Sequence, residues 1–323
     1  MPQQPALSSV GDLTERRTDG QMAGVGSIVN QEEPTPVLMV TGDPVIGPTG
    51  RPKHEFPEPA PLASHGPARI ISMVNQKGGV GKTTSTINLG AALAGYGRKV
   101  LMVDFDPQGA LSAGLGVSPH ELDTTVYNVM MERSVTAKDA IVQTAFEDID
   151  LLPANIDLSA AEVQLVNEVA REQVLERALR QVRDDYDVVL IDCQPSLGLL
   201  TVNALTASHG VIIPLTAEFF ALRAVALLVE TIEKIQDRIN PDLQVDGVLA
   251  TMFDARTLHS KEVVGRLVEA FGDRVFETVI KRSIKFADAT GAAEPITAFA
   301  EKHEGAKAYR TLARELIWRG GAP

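Results

Sequence analysis

The sequence is poor in cysteine, in aromatic residues and in long apolar runs. Cys193 is the one cysteine among 323 residues, so an internal disulfide and a multi-cysteine metal site are both excluded, as in proteins of a reducing compartment. No run of about 18 apolar residues is present, and we expect no stable membrane insertion. The first residues lack the charged-then-apolar pattern of a secretion signal, which predicts a cytoplasmic protein.

Positive charge is also scarce. The chain has 30 Lys and Arg residues against 42 Asp and Glu residues, which gives a formal net charge of −12. This balance excludes a protein coated in basic residues for nucleic acid, but it leaves room for a local basic patch. The remaining composition, 44% hydrophobic and 22% charged, is that of an ordinary folded chain and excludes a wholly disordered or collagen-like one.

Proline is concentrated near the N-terminus. Residues 1–66 contain ten of the 19 prolines, and their apolar residues follow neither the strand period nor the helix period. Such a segment has little to bury and favours extended conformations. We predict a disordered, proline-rich tail over residues 1–66, which is either inert or a partner-binding arm. It contains one short apolar island at residues 37–40, and Arg51 and Lys53 are weak candidates for contact with nucleic acid.

From residue 67 onward, apolar segments of strand length alternate with amphipathic segments of helix length. The pattern predicts strands at residues 70–74, 100–103, 149–152, 188–191, 211–213, 247–252 and 275–280. Strands that are apolar on both faces and alternate with helices indicate a parallel sheet covered by helices on both sides. The predicted fold class is therefore α/β, with a mostly parallel central sheet in one domain over residues 67–323.

A glycine-rich loop gives the strongest functional signal. It lies between a predicted strand at residues 70–74 and a predicted helix at residues 85–94. The glycines let successive backbone N–H groups point at phosphate oxygens, and the helix N-terminus adds its positive dipole end. The Lys82 ammonium suits the β- and γ-phosphates, and the Thr83 hydroxyl suits Mg²⁺. The predicted nucleotide-binding residues are Lys77, Gly78, Gly79, Val80, Gly81, Lys82, Thr83 and Thr84.

Three aspartates follow apolar strands. Asp192 ends the predicted strand at 188–191, and Asp104 and Asp106 follow the one at 100–103. Open parallel sheets bind their ligands at the carboxyl ends of their strands. Asp192 therefore has the position of a carboxylate that holds Mg²⁺ beside a phosphate loop.

Several of these segments resemble one family of ATPases. Residues 77–84 resemble the deviant Walker A motif of ParA/MinD-type ATPases, and the resemblance runs from about residue 69 to residue 317. Residues 101–109 are similar to the ParA switch I segment, and residues 189–195 to its Walker B and switch II strand. Further similarity to ParA lies at residues 200–205 and 305–309.

The resemblance implies a single P-loop NTPase domain and a Mg²⁺-dependent ATPase with ATP as its nucleotide. It implies that Lys77 reaches across an ATP-bound homodimer to the partner's phosphates. It further implies that Lys82 and Asp106 are catalytic, with Asp106 positioning or activating the attacking water. The implied metal residues are Thr83, Asp104 and Asp192.

A second ligand is also implied by the resemblance. Proteins of the ParA type bind DNA non-specifically as ATP dimers, and Arg256, Arg282 and Lys285 match the positions of their basic patch. Phosphate contacts of this kind bring affinity without sequence reading. The implied role is chromosome or plasmid partitioning on the nucleoid, together with a ParB-like partner protein.

The chain departs from the family pattern in places, and alternatives stay open. Cys193-Gln194 stands where ParA proteins have a residue and a first proline, and Lys281-Arg282-Ser283 replaces a Pro-Arg-Asn adenine loop. One alternative is an orphan ParA-like ATPase that positions another cargo, such as a polar or division protein. A MinD-like membrane-associated ATPase would need a basic amphipathic terminal helix. An iron–sulfur carrier would need cysteine pairs.

Overall fold

A seven-stranded sheet forms the centre of the computed structural model, which describes residues 45–217 and 221–323. The strands run in the order β3-β4-β2-β5-β1-β6-β7, and every neighbouring pair is parallel except β3 with β4. This confirms the predicted α/β fold. The strand bounds are β1 Arg69–Met73, β2 Val100–Phe105, β3 Val142–Gln143, β4 Ile149–Leu152, β5 Val188–Cys193, β6 Gly210–Thr216 and β7 Gln244–Thr251.

Helices cover both faces of this sheet. Because successive strand residues point to opposite faces, Ile70 packs in one core with Leu205, and Ile71 packs in the other core with Leu312. Both strand faces are therefore buried, as the continuous apolar segments predict. The helix bounds are α1 Lys82–Ala94, α2 Ala110–Gly114, α3 Val126–Met131, α4 Ala137–Ala140, α5 Leu158–Gln164, α6 Val174–Leu179, α7 Leu199–Ala207, α8 Ala221–Arg238, α9 Leu258–Phe271, α10 Lys285–Gly291, α11 Ile296–Phe299 and α12 Glu304–Trp318.

Residues 45–66 lie against this domain, which corrects the prediction of a disordered tail for that part of the chain. The compact unit spans Val45–Pro323, so the predicted boundary at residue 66 falls inside it. Phe56 is buried, and the Arg51 guanidinium donates to the Val275 carbonyl instead of facing a nucleic acid. The anchors are single side chains between prolines, so composition alone could not reveal them. Residues 1–44, with the apolar island at 37–40, lie outside the described residues.

The predicted strand at residues 275–280 is wrong. This segment runs beside β7 and donates two backbone hydrogen bonds to it, but the pairing amounts to isolated bridges, Val248 with Val275 and Phe253 with Lys281. The backbone N–H groups of Glu277 and Thr278 donate to the buried Glu315 carboxylate of α12 instead of to a strand. A side chain from a distant helix therefore interrupts the ladder.

The last helix packs as a core element. Tyr309, Leu312 and Leu316 on its inner face are almost fully buried. Its last residue, Trp318, is half-exposed and lies near Phe56. In the part of the chain that the structure describes, no helix has the length and apolarity needed to cross a bilayer.

Candidate functional site

The glycine-rich loop connects β1 to α1 and has the form of an anion cradle. Gly79 has φ 71° and Gly81 has φ 85°, left-handed values that favour glycine. A Cβ placed on Gly78 or Gly79 would meet no atom within 4 Å, so the outer side of the loop is open. Gly81 precedes the first residue of α1, Lys82. The unpaired N–H groups of the first helical turn therefore lie at the loop, where they favour an anion.

Side chains from neighbouring strands hold the loop in this shape. The Thr251 hydroxyl, at the end of β7, donates to the Val80 carbonyl at 2.8 Å. Asn75 accepts from the Lys77 backbone N–H at 2.9 Å and donates to the Pro214 carbonyl at 2.7 Å. Sequence reasoning missed both supports. Asn75 had a local signal, an asparagine just before a glycine run, whereas Thr251 had none because it lies 171 residues from Val80.

Lys82 is nearly buried at the start of α1. Its ammonium donates to the Lys77 carbonyl at 3.3 Å. Burial lowers the pKa of Lys82, and the nearby Asp192 carboxylate opposes that shift. An ammonium group that is shielded from water beside the loop interacts strongly with a phosphate, because little water screens the two charges from each other.

Thr83 and Asp192 meet directly behind the loop. The Thr83 hydroxyl donates to Asp192 Oδ2 at 2.6 Å, and the Thr86 hydroxyl lies 3.4 Å from Asp192 Oδ1. Burial and, after it, the nearby Asp104 carboxylate raise the pKa of Asp192 to about 7. Two of the three predicted metal residues are thus brought into contact, although 109 residues separate them in the chain.

The third predicted metal residue, Asp104, lies beside Asp192 but is engaged by other donors. It is fully buried at the end of β2, where it pairs in register with Asp192 of β5. Asp104 Oδ2 accepts from the Ser112 N–H at 2.8 Å and from the Ser112 hydroxyl at 2.7 Å, and Oδ1 accepts from the Asp106 N–H at 3.3 Å. Burial raises its pKa to about 7. Sequence reasoning missed Ser112, which fixes this carboxyl to the start of α2.

The two remaining predicted catalytic residues are open to solvent. Asp106 is half-buried just beyond β2, and its Oδ1 accepts the Gln108 N–H at 3.0 Å. Lys77 is exposed on the outer side of the loop. Both side chains are therefore accessible to a second molecule that approaches the loop from outside, whereas Lys82 and Asp192 are buried behind it.

A pocket of about 320 Å³ lies next to the loop, on the side of α10 and α12. Residues 281–283, which stand where the family pattern has its adenine loop, form one of its walls. Met252, just after β7, forms another. Met252 has φ 51°, an unusual value for a residue with a side chain. The lining residues are Gly81, Thr84, Thr251, Met252, Ile280, Lys281, Arg282, Ser283, Phe286, Ala287, Thr290 and Tyr309.

The predicted DNA-binding cations sit among acids. Arg256 is highly exposed and binds Asp254 at 2.8 Å, and Lys285 binds Asp288 at 3.0 Å. The hydrogen bonds from Arg256 lower the pKa of Asp254 to about 2, and Arg282 acts on the same carboxylate. Asp254 thus offsets positive charge from two of the three predicted cations, through hydrogen bonds with Arg256 and through the longer-range charge of Arg282. Arg282 also lines the pocket described above, so it belongs both to the pocket wall and to the predicted DNA-binding surface.

The residues after Asp192 contact α5. Gln194 Nε2 donates to Glu162 Oε1 at 2.8 Å, and the Gln194 N–H lies 3.3 Å from the Phe105 carbonyl. Cys193 is fully buried, and burial raises the pKa of its thiol far above the usual range. The polar side chain that stands in place of a family proline therefore ties this segment to a neighbouring helix.

Comparisons with known proteins agree with this geometry. The family model described as an AAA domain matches residues 68–245. The chain is 43% identical over 252 residues to the sporulation initiation inhibitor protein Soj of Bacillus subtilis, across 78% of this chain and 99% of Soj. The chain belongs to the ParA/Soj family.

Two further similarities extend this assignment. An uncharacterized protein of Mycobacterium tuberculosis is 62% identical over 276 residues, which are 85% of this chain and 87% of that protein. A solved structure is named as cobyrinic acid a,c-diamide synthase from Mycobacterium smegmatis with bound ATP analog and magnesium. It matches at a TM-score of 0.66 and 43% identity over 79% of this chain and 97% of that one. This member of the ParA/Soj family therefore has the P-loop NTPase fold that its loop predicts.

Proposed function

We propose that this ParA/Soj-family chain is a Mg²⁺-dependent ATPase that acts as an ATP-driven dimer switch. The observation that carries the proposal is the 2.6 Å hydrogen bond from the Thr83 hydroxyl to Asp192, directly behind an open phosphate loop. A loop hydroxyl and a strand-end carboxylate are the two groups that hold Mg²⁺ beside the nucleotide in P-loop NTPases.

The oxygen donors fit Mg²⁺. A hydroxyl and a carboxylate are hard ligands, and Mg²⁺ usually binds one or two carboxylates while keeping several waters. When bound, the ion supplies positive charge that offsets charge on the phosphates. Asp104 supports this site from behind Asp192, because Ser112 and Asp106 already engage its oxygens.

The neighbouring pocket takes the nucleoside. It begins at Gly81 and Thr84, next to the cradle for the phosphates, and it has enough volume for a base and a sugar. Lys281, Arg282 and Ser283 form its wall, so they take the place of the family's adenine loop. We assign ATP as the substrate on this basis together with the ATP analog and magnesium in the Mycobacterium smegmatis relative.

In this proposal Asp106 takes part in hydrolysis and Lys77 in dimerisation. Asp106 lies at the carboxyl end of β2, outside the buried acids, where its carboxylate orients a water toward the terminal phosphate. Lys77 stands on the open side of the loop, where a second copy of the chain would bring its own nucleotide. The ATP-bound homodimer thereby completes each site with Lys77 of the other copy.

We propose DNA on the nucleoid as the second ligand, in the service of chromosome or plasmid partitioning. Some relatives carry chromosome partitioning in their names, as does the chromosome-partitioning ATPase Soj of Treponema pallidum, 45% identical over 253 residues. The proposed contacts are Arg256, Arg282 and Lys285, doubled in the dimer, and a ParB-like protein is the proposed partner. In this scheme the ATPase domain occupies the region from about residue 67 to residue 323.

A second candidate function rests on the acids of the same surface. Asp254 and Asp288 each neutralise one of the three proposed DNA cations. This pairing favours an orphan ParA-like ATPase that positions a cargo other than DNA, such as a polar or division protein. A MinD-like membrane role finds less support, because the inner face of α12 is buried in the core.

Calorimetry with ATP and Mg²⁺ tests the proposed nucleotide site. Lys82→Ala removes the buried cation at the loop and is expected to weaken ATP binding about 100-fold, the loss of roughly 3 kcal/mol that a charged hydrogen-bonding partner contributes. Lys138→Ala is the matched control, since Lys138 forms only an exposed ion pair with Asp185. Unchanged ATP affinity in Lys82→Ala would refute the proposal.

A further inference from the structure

Residues 45–66 form a strap that is fastened to the body of the domain at three places. Arg51 and His54 contact the segment that follows α9, and Phe56 packs near Trp318 of α12 with ring centroids 5.5 Å apart. At its far end, His65 bonds Asp187 at 2.7 Å. The strap therefore has specific partners along its length and is part of the folded domain.

Two of these anchors hold one short stretch of the chain: Arg51 contacts the backbone of that stretch, and His54 contacts one of its side chains. Arg51 Nη2 donates to the Val275 carbonyl at 2.5 Å, and Nη1 lies 3.3 Å from the Gly272 carbonyl. The His54 N–H donates to Glu277 Oε2 at 3.1 Å, and the His54 ring nitrogen Nδ1 lies 2.5 Å from Glu277 Oε1. The strap thus binds the chain at residues 272–277 through the Arg51 guanidinium and the imidazole and backbone N–H of His54.

Residues 272–277 lead directly into the wall of the pocket beside the phosphate loop. Ile280 donates to the Ala250 carbonyl at 2.8 Å and accepts from the Phe253 N–H at 3.0 Å, so the segment follows the end of β7. The next three residues, 281–283, line the pocket. The Phe276 N–H also donates to the Val248 carbonyl of β7, but the pairing amounts to isolated bridges and not to a regular strand ladder.

The opposite side of the stretch is held by α12. The buried Glu315 carboxylate accepts the N–H groups of Glu277 and Thr278 at 2.7 and 2.9 Å. The backbone is therefore clamped between Glu315 on the inside and the strap on the outside. Arg319 of α12 also donates to the Val275 carbonyl at 3.1 Å. Loss of the strap contacts therefore removes one support of this segment and leaves the others in place.

We propose that Arg51 and His54 are positioning residues for the nucleoside pocket. They act through residues 272–277 to hold Lys281, Arg282 and Ser283 at the distance from Thr84 that a bound base requires. This inference rests on the proposed nucleotide-binding function. Its signature is selective, because the contacts of Arg51 and His54 lie on residues 272–277, which lead into the pocket wall and not into the glycine loop that would hold the phosphates.

Two ligands separate the pocket wall from the phosphate loop. Mg²⁺–ADP uses both parts of the site, whereas inorganic tripolyphosphate with Mg²⁺ uses the loop alone. In calorimetry on the full chain, Arg51→Gln and His54→Ala are each expected to weaken ADP binding about tenfold, as expected when one charged hydrogen bond is lost. Both variants should bind tripolyphosphate as the wild type does. Lys53→Ala is the matched control, a neighbouring strap cation whose side chain is exposed.

Two results of these titrations would overturn the proposal. Equal losses of affinity for ADP and for tripolyphosphate would show that the strap is merely structural, and unchanged ADP affinity would show that it does not act on the pocket. A double-mutant cycle of His54→Ala with Glu277→Gln should show coupling in ADP affinity but none in tripolyphosphate affinity. Thermal unfolding confirms that each variant is folded at the temperature of the titration. If the wild type binds neither ligand, the proposed nucleotide site fails, which is a different result from failure of the strap.

Discussion

Asp104 and Asp192 face each other across neighbouring strands, and both carboxyl groups are buried. They pair in register where β2 and β5 end, and each is at most 1% exposed. Burial raises the pKa of each carboxyl group to about 7. A cation bound next to Asp192 would favour the charged form and so compete with a proton for the same site.

This pair predicts an unusual pH dependence of stability. Asp104 holds its proton in the folded, nucleotide-free protein and has lost it in the unfolded chain between about pH 4, the ordinary range of an aspartate, and about pH 7. The free energy of unfolding contributed by Asp104 therefore falls as the pH rises through that window. Asp104→Asn should make the decrease shallower, whereas the exposed Asp123→Asn should not. Urea unfolding at pH 5, 6, 7 and 8 with a chelator measures the slope, and parallel slopes for wild type and Asp104→Asn would contradict the assignment.

Asp106→Ala is expected to separate nucleotide binding from hydrolysis. Asp106 lies outside the buried pair, so its removal should leave ATP affinity within about twofold while slowing turnover by about 100-fold or more, the usual contribution of a group that assists proton transfer or orients water. Steady-state phosphate release and ATP titration measure the two effects. Asp123→Ala, another exposed acid, provides the control, and a wild-type rate in Asp106→Ala would remove Asp106 from the chemistry.

Lys77→Ala is expected to weaken the ATP-dependent dimer while sparing the fold. The Lys77 side chain lies on the exposed side of the loop, so the monomer loses no buried packing. Sedimentation velocity with a slowly hydrolysed ATP analogue should show a dimer dissociation constant raised about tenfold or more, because a charged contact across the interface is lost. An equally tight dimer in Lys77→Ala that also hydrolyses ATP normally would rule out the role, and Lys53→Ala serves as the control for charge.

Arg256→Glu tests DNA binding without disturbing the nucleoside pocket, which Arg282→Glu would alter. Arg256 is highly exposed and absent from the pocket lining. If the ATP dimer binds duplex DNA, the logarithm of affinity should fall with the logarithm of salt concentration at about 0.9 per phosphate contacted. Losing one contact per subunit should make the slope shallower by about 1.8 in the dimer.

The control for charge is Lys234→Glu on α8, where Lys234 pairs with Glu230 on an exposed surface. It should bind DNA nearly as the wild type does. A wild-type ATP dimer that ignores DNA at low salt, or an Arg256→Glu dimer that keeps the full slope, would favour the orphan positioning function.

Local signals in the sequence predicted much of this molecule. The apolar segments predicted six of the strands within a few residues, because a strand buried on both faces needs a continuous apolar run. They predicted the seventh wrongly at residues 275–280, where Glu315 takes two N–H groups that a strand would use. The short β3 was missed, since two half-exposed residues carry no periodic pattern.

The sequence by itself determined the phosphate loop, because glycine spacing and positive φ angles at Gly79 and Gly81 are properties of neighbouring residues. Only the tertiary structure decided what surrounds it. It brought Thr83 to Asp192 and seated Arg51 on Val275, pairs separated by 109 and 224 residues. Contacts of that range depend on how a parallel sheet orders its strands and on which side chains then meet, and no local pattern of residues encodes that arrangement.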